Sequence, residues 1–205
     1  MKITEIKTYP LAYEGRESLF IEVLTDNGLK GLGEVGVAKM GKAVIAAIEQ
    51  LEQRLIGEDP WESEKLWQIM FRGNFFPPGV IYSSAISAID IALWDLKGKS
   101  VNMPLYKLLG GPVRNKVVCY PHTQGSTTQE LVDNSKRAVD EGWKFVRWGQ
   151  PETHGVFEEA ELSEQMPGKL EPTESVRLAT EQMALVREAV GEDIGLLLDV
   201  HTRLD

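Results

Sequence analysis

The first third of the chain moves from β-type alternation to helical spacing. Lys2 to Tyr9 (KITEIKTY) alternates loosely, and Leu19 to Thr25 (LFIEVLT) is rich in β-formers. Asp26-Asn27-Gly28 is a turn signal before Leu29 to Glu34, so the segment predicts a small antiparallel meander. Lys42 to Ile56 then sets Ile45, Ile48, Leu51 and Leu55 at helical spacing, with Gly57 as the stop. Pro60-Trp61 opens a second helix carrying Leu66, Ile69 and Met70. Ser83 to Lys97 (SSAISAIDIALWDLK) carries the clearest helical period, with Ile86, Ile89, Leu93 and Leu96 on one face and Ala and Ser positions suited to close packing. Pro104 to Leu109 predicts a short helix ended by Gly110-Gly111-Pro112.

Beyond that point the pattern changes. Lys116 to Tyr120 (KVVCY) reads as a strand, Thr128 to Glu141 as a helix and Lys144 to Trp148 as a strand. Residues 149–172 form a polar loop, Thr173 to Val190 a long helix, and Gly195 to Val200 (GLLLDV) an apolar strand. Alternating buried-type strands and helices predict an α/β arrangement with a parallel sheet and helical crossovers. The boundary is expected at Gly110 to Val113, giving domains 1–112 and 113–205. Gly31-Leu32-Gly33 lacks the third glycine and the following helix of a nucleotide-binding loop.

Composition narrows the function classes. With 31 acidic residues against 22 Lys and Arg, the formal charge is −9. No basic tract offsets it, which argues against nucleic acid or an anionic membrane as partner. One cysteine, Cys119, excludes an internal disulfide framework and a CxxC metal site, and its place among valines reads as a small core residue. Residues 1–30 lack a signal-peptide pattern and no apolar run approaches a membrane span, so a cytoplasmic setting is expected.

Three successive strand ends carry polar chemistry. The last strand delivers Asp199 and His201 to one side, with Val200 opposite. Asp is a hard oxygen ligand suited to Mg²⁺, and a neighbouring His can act as acid or base near neutral pH. The alternative is an Asp that caps the next element and a hydrogen-bonded His. Arg147, near the end of the preceding strand, can hold a substrate carboxylate bidentately, or it can pair with one of the acids in 152–164. His122 follows the first strand of this half. Carboxyl ends of parallel strands are where sites form, so the convergence of His, Arg and Asp-x-His points to chemistry. His154 reads as a solvated loop residue. Asp90 and Asp95 lie on different helix faces and read as structural. Phe75-Phe76-Pro77-Pro78 reads as a packed loop, with a lid as the other option.

The chain resembles the enolase superfamily in its mandelate racemase-like branch, and is most similar there to acid-sugar dehydratases of the galactonate and mannonate type. The markers are Gly31-Leu32-Gly33-Glu34, Leu55-Ile56-Gly57-Glu58-Asp59-Pro60, the run from Ser84 to Asp95, Pro104 to Gly111, and Asp199-Val200-His201-Thr202-Arg203-Leu204. The resemblance implies an α+β capping domain followed by the start of a modified (β/α) TIM-type barrel. It makes Asp199 the first of three carboxylate ligands to Mg²⁺ and His201 the acid for a departing 3-hydroxyl. Arg147 matches an arginine of mannonate dehydratases, and His122 a substrate-contacting histidine. The implied reaction removes the proton α to a sugar-acid carboxylate, passes through an enediolate and loses water to give a 2-keto-3-deoxy acid. The implied partner is a small-molecule acid sugar, and the implied assembly a homo-oligomer, dimer or octamer.

Two features depart from the pattern. No Tyr occurs between 148 and 205, and the Lys-x-Lys of racemases falls on Arg147 and Gly149. A complete barrel takes about 250 residues and eight strands. The 92 residues after Val113 suffice for three, so the chain reads as the N-terminal part of a longer enzyme and is expected to be inactive alone. A racemase or epimerase of the same branch, and a non-catalytic remnant acting as a binding module, are the alternatives.

Overall fold

The computed structural model describes residues 1–14, 16–37, 39–150 and 172–200. The chain divides into two compact units, Met1–Asn115 and Lys116–Asp205. The long loop predicted at 149–172 falls almost wholly outside the described residues, as do His154 and His201.

In the first unit, β1 (Ile3–Tyr13), β2 (Arg16–Thr25) and β3 (Lys30–Glu34) form an antiparallel meander in that order. Strict alternation on β2 buries Leu19, Ile21, Val23 and Thr25 on one face. The predicted turn forms: Asn27 Oδ1 accepts from Leu29 N, and Gly28 takes φ +84°, which its missing Cβ permits. Four helices follow: α1 (Gly41–Leu55), α2 (Ser63–Arg72, entered through one 3₁₀ turn at Pro60–Glu62), α3 (Val80–Ser100) and α4 (Leu105–Leu108). Gly57 ends the first excursion with φ +85°, and its N–H donates to Ile3 O at 2.8 Å, tying the turn to β1.

Helix α3 is the centre of this unit. Ala85, Ile86, Ala88, Ile89, Ala92, Leu93 and Leu96 are all buried, and they meet Val44, Ile48, Leu51 and Leu55 of α1 and Leu66 and Met70 of α2 in one core. Each fully buried Leu or Ile side chain is worth about 1.5–3 kcal/mol. The strand β3 lies directly on α3: a Cβ at Gly31 would sit 2.0 Å from Ala92 O, and one at Gly33 2.1 Å from Ala88 O. The Gly31-x-Gly33 pair is therefore a helix-packing device. Asp95 has the structural role expected of it. Its Oδ2 accepts from Leu32 N at 2.8 Å and from Lys99 Nζ at 2.6 Å, while Lys99 Nζ also donates to Lys30 O. These bonds satisfy β3 groups from the helix side.

In the second unit, α5 (Thr128–Asp140), β4 (Phe145–Gly149), α6 (Pro172–Val190) and β5 (Gly195–Asp199) alternate as predicted. A capping box starts α5: the Thr127 hydroxyl accepts from Glu130 N, and the Glu130 carboxylate accepts from Ser126 N at 2.7 Å. Hydrogen bonds from the Ser126 hydroxyl first, and then from the Ser126 backbone N–H, hold the Glu130 pKa below the usual carboxylate value. Strands β4 and β5 pair in parallel, Phe145 with Gly195 through Gly149 with Asp199. Val146 and Trp148 face the helices, packed with Leu131, Ala138, Val186 and Ile194. This is the opening of a barrel, joined to an N-terminal capping domain of mixed strands and helices.

Two expectations in this unit need correction. Lys116 to Tyr120 forms no strand; the pairing with β4 falls later, as a single parallel bridge between His122 and Arg147. The hydrogen bonds run from Arg147 N to Pro121 O and from Thr123 N to Arg147 O, and that register leaves Val117 and Val118 exposed. Cys119, expected in a core, is exposed for the same reason. In the first unit Phe75 and Phe76 also stand out, stacked edge-to-face on each other and 95% and 76% exposed rather than packed.

Candidate functional site

Strand alternation decides what the second unit presents. With Val146 and Trp148 committed to the helix-facing core, Arg147 and Gly149 share the other face. The register sets Gly149 directly opposite Asp199, so Arg147 and Asp199 are diagonal neighbours on adjacent strands. Gly149 contributes no side chain to the space between them, and the Arg147 guanidinium crosses it to form an ion pair with the Asp199 carboxylate. Arg147 is nearly buried, with a side chain 8% exposed, while Asp199 keeps 32%.

On its other side the same guanidinium reaches the first strand segment. Arg147 Nη1 lies 3.2 Å from both ring nitrogens of His122 and donates to whichever lacks a hydrogen. His122 in turn stacks on Tyr120, ring centroids 6.5 Å apart. Three side chains predicted from three strand ends are thus brought together: His122, Arg147 and Asp199 run across the sheet with Arg147 in the middle. His201, the fourth, lies outside the described residues.

The supports of this row were not visible in the sequence. Gln150, just past β4, donates its backbone N–H to Asp199 O at 2.8 Å and its Nε2 to the buried Ser175 Oγ of α6 at 2.7 Å. Thr123 is buried beside His122 and accepts a hydrogen bond from Ser135 of α5. Neither residue type carries a signal of its own in the sequence. Among the described residues, the buried Trp148 Nε1 and Gln150 Oε1 have no hydrogen-bond partner.

As a cation site the row is partial. Asp199 offers a hard oxygen donor at a strand end, which suits Mg²⁺. Among the described residues no group of three His, Cys, Asp or Glu can enclose a metal ion. No helix among them is long and apolar enough to cross a membrane.

An α+β unit followed by parallel β/α units with an acid at a strand mouth is the architecture of the enolase superfamily. Residues 11–110 match the mandelate racemase/muconate lactonizing enzyme N-terminal domain, so this part of the chain belongs to that branch of the superfamily. It is 34% identical over 204 residues to a D-galactonate dehydratase of Verminephrobacter eiseniae, covering 100% of this chain and 49% of that protein. A D-galactonate dehydratase of Pectobacterium atrosepticum is 35% identical over 205 residues, with 50% of its length covered. The chain spans about half the length of the curated relatives it matches.

The solved structures agree. An enolase-superfamily member from Salmonella Typhimurium superimposes with a TM-score of 0.79 at 31% identity, covering 100% of this chain and 56% of that one. An enolase from Pantoea ananatis with bound D-gluconate and Mg superimposes with a TM-score of 0.81 at 27% identity, covering 99% and 54%.

Proposed function

We propose that the whole protein is an Mg²⁺-dependent acid-sugar dehydratase, with residues 1–112 as its capping domain and 113–205 as the first part of its barrel. The observation that carries the reading is the His122–Arg147–Asp199 row, which runs from a single-bridge segment onto β4 and the end of β5. It is supported by relatives that are D-galactonate dehydratases and by a structural neighbour that holds D-gluconate and Mg.

In this reading Asp199 is one metal ligand, and the remaining ligands come from residues outside those described. Bound there, Mg²⁺ supplies the electrophilic pull on the substrate carboxylate that makes a very weakly acidic α-proton removable. The residues of this chain bind and orient. The planar fork of Arg147 suits a carboxylate or a pair of hydroxyls, and its burial fixes the direction in which it donates. His122, anchored against Arg147 and Tyr120, hydrogen-bonds a substrate hydroxyl. A base outside the described residues takes the α-proton, His201 protonates the departing 3-hydroxyl, which leaves as water, and the resulting enol becomes a 2-keto-3-deoxy acid. A cytoplasmic homo-oligomer is the setting the resemblance implies.

A racemase or epimerase reading is weaker here. Gly149, opposite Asp199, has no side chain to serve as the base that the second Lys of a Lys-x-Lys pair would supply.

The test is a panel of hexonates and hexarates with Mg²⁺ and the full-length protein, assayed for 2-keto acid as the semicarbazone. Product from at least one substrate is expected, and turnover should vanish in His201→Asn. No keto acid from any of them would sink the dehydratase assignment, and full turnover in His201→Asn would remove that residue from the mechanism.

A further inference from the structure

The Asp199 carboxylate already has a cation. The Arg147 side chain is 8% exposed, and its guanidinium is in contact with Asp199 Oδ2. The contact follows from the backbone: parallel register puts the two residues diagonally across β4 and β5, and Gly149 leaves the intervening position empty. A divalent ion drawn to the same carboxylate would meet a fixed positive charge in a poorly solvated place, where repulsion between cations is far stronger than in water.

We propose that Arg147 occupies the cation position beside Asp199, so that a divalent metal ion binds there only by displacing the guanidinium. The inference rests on the reading of Asp199 as a metal ligand. The displaced group has somewhere to go: His122 already contacts Nη1 at 3.2 Å from either ring nitrogen, so the guanidinium can swing onto that ring while releasing the carboxylate. Arg147 is then a positioning residue for the metal, and its contribution to metal affinity is negative. This separates it from an ordinary structural ion pair, whose loss would loosen the site and weaken metal binding.

The experiment uses Mn²⁺ alone as the probe, with free ion counted by electron paramagnetic resonance in the full-length protein. Arg147→Gln should bind Mn²⁺ about tenfold more tightly than the unmodified protein, inside the 5- to 150-fold range of ordinary coupling between sites. Arg147→Lys keeps the charge without the fork, is less disruptive to folding, and should fall between the two. Asp199→Asn should lose the site in either background. If Asp199→Asn loses the site while both Arg147 variants bind no more tightly than the unmodified protein, the displacement idea is wrong and the ligand reading stands. If Asp199→Asn binds Mn²⁺ as before, the ligand reading falls and the displacement idea falls with it.

Discussion

The two units solve the problem of covering a sheet in opposite ways. In the capping unit, β2 alternates cleanly, β3 lies on α3 at glycine distance, and Asp95 and Lys99 reach from the helix to satisfy β3 groups. Its core is closed. In the second unit β4 is buried at Val146, Arg147 and Trp148, yet every residue of β5 remains half-buried. A groove of about 570 Å³ lies beside β5, lined by Val176, Ala179, Met183, Leu196, Leu198 and Val200. One sheet is finished by its own helices, and the other presents an apolar flank of the kind a further β/α unit covers in a barrel. Stability in the first unit should therefore depend on exact fit, and in the second on area still to be covered.

The sharpest way to break this contrast is at the glycine contact. Gly31→Val would drive a side chain into the Ala92 carbonyl, which belongs to helix backbone and cannot step aside. Overpacking of this kind costs about 3 kcal/mol or more. Segment-resolved hydrogen exchange should show α3 and β1–β3 opening together while β4 and α6 are unchanged. Unaltered protection in α3 would mean that the close approach is not what holds the unit.

A matched pair of leucine truncations sharpens the comparison. Leu93, fully buried on α3, should cost about 3 kcal/mol on change to Ala, the usual sum of lost transfer energy and cavity. Leu198, half-buried beside the groove, should cost about 1 kcal/mol, because much of its surface stays in contact with water. Denaturation followed by exchange in each segment gives both numbers. Equal costs would show β5 to be as well packed as α3.

The same contrast explains what was legible in the sequence. Periodicity placed the helices and the three meander strands within a few residues, because each signal is local and each element is amphipathic. It failed at Lys116 to Tyr120, whose run of β-formers is as good as any in the chain. A strand needs a partner in register, and β4 takes its partner at Pro121 and Thr123 instead. At the site, Arg147 and Asp199 were placed together by their positions on β4 and β5, while His122 reaches them from a segment that makes only a single bridge instead of the predicted strand. Gly149 and Gln150 were not readable as supports, because an empty position and a backbone hydrogen bond leave no chemical signature. The close packing that Gly31 and Gly33 permit was not readable, because it depends on Ala88 and Ala92, more than fifty residues away.

The smallest effect tests whether the closed unit is closed to charge as well. Lys97 is 7% exposed, its Nζ donates to Ser63 Oγ and lies 4.2 Å from the Trp94 ring centroid. Burial lowers its pKa, against the pull of Asp90 and Glu64 in the other direction. The folded protein therefore gives up this proton before the unfolded chain does. Stability must rise with pH from the folded value up to the ordinary lysine value of 10.5, and level off above it. Lys97→Met should flatten that alkaline rise while leaving the neutral-pH fold intact, since the methionine chain fills the same path past Trp94. Chemical denaturation at stepped pH between 8 and 11 reads the slope directly. A slope unchanged by the substitution would mean that Lys97 keeps enough water to titrate as an exposed lysine does, and that the capping core is less dry at its α2–α3 seam than at its sheet.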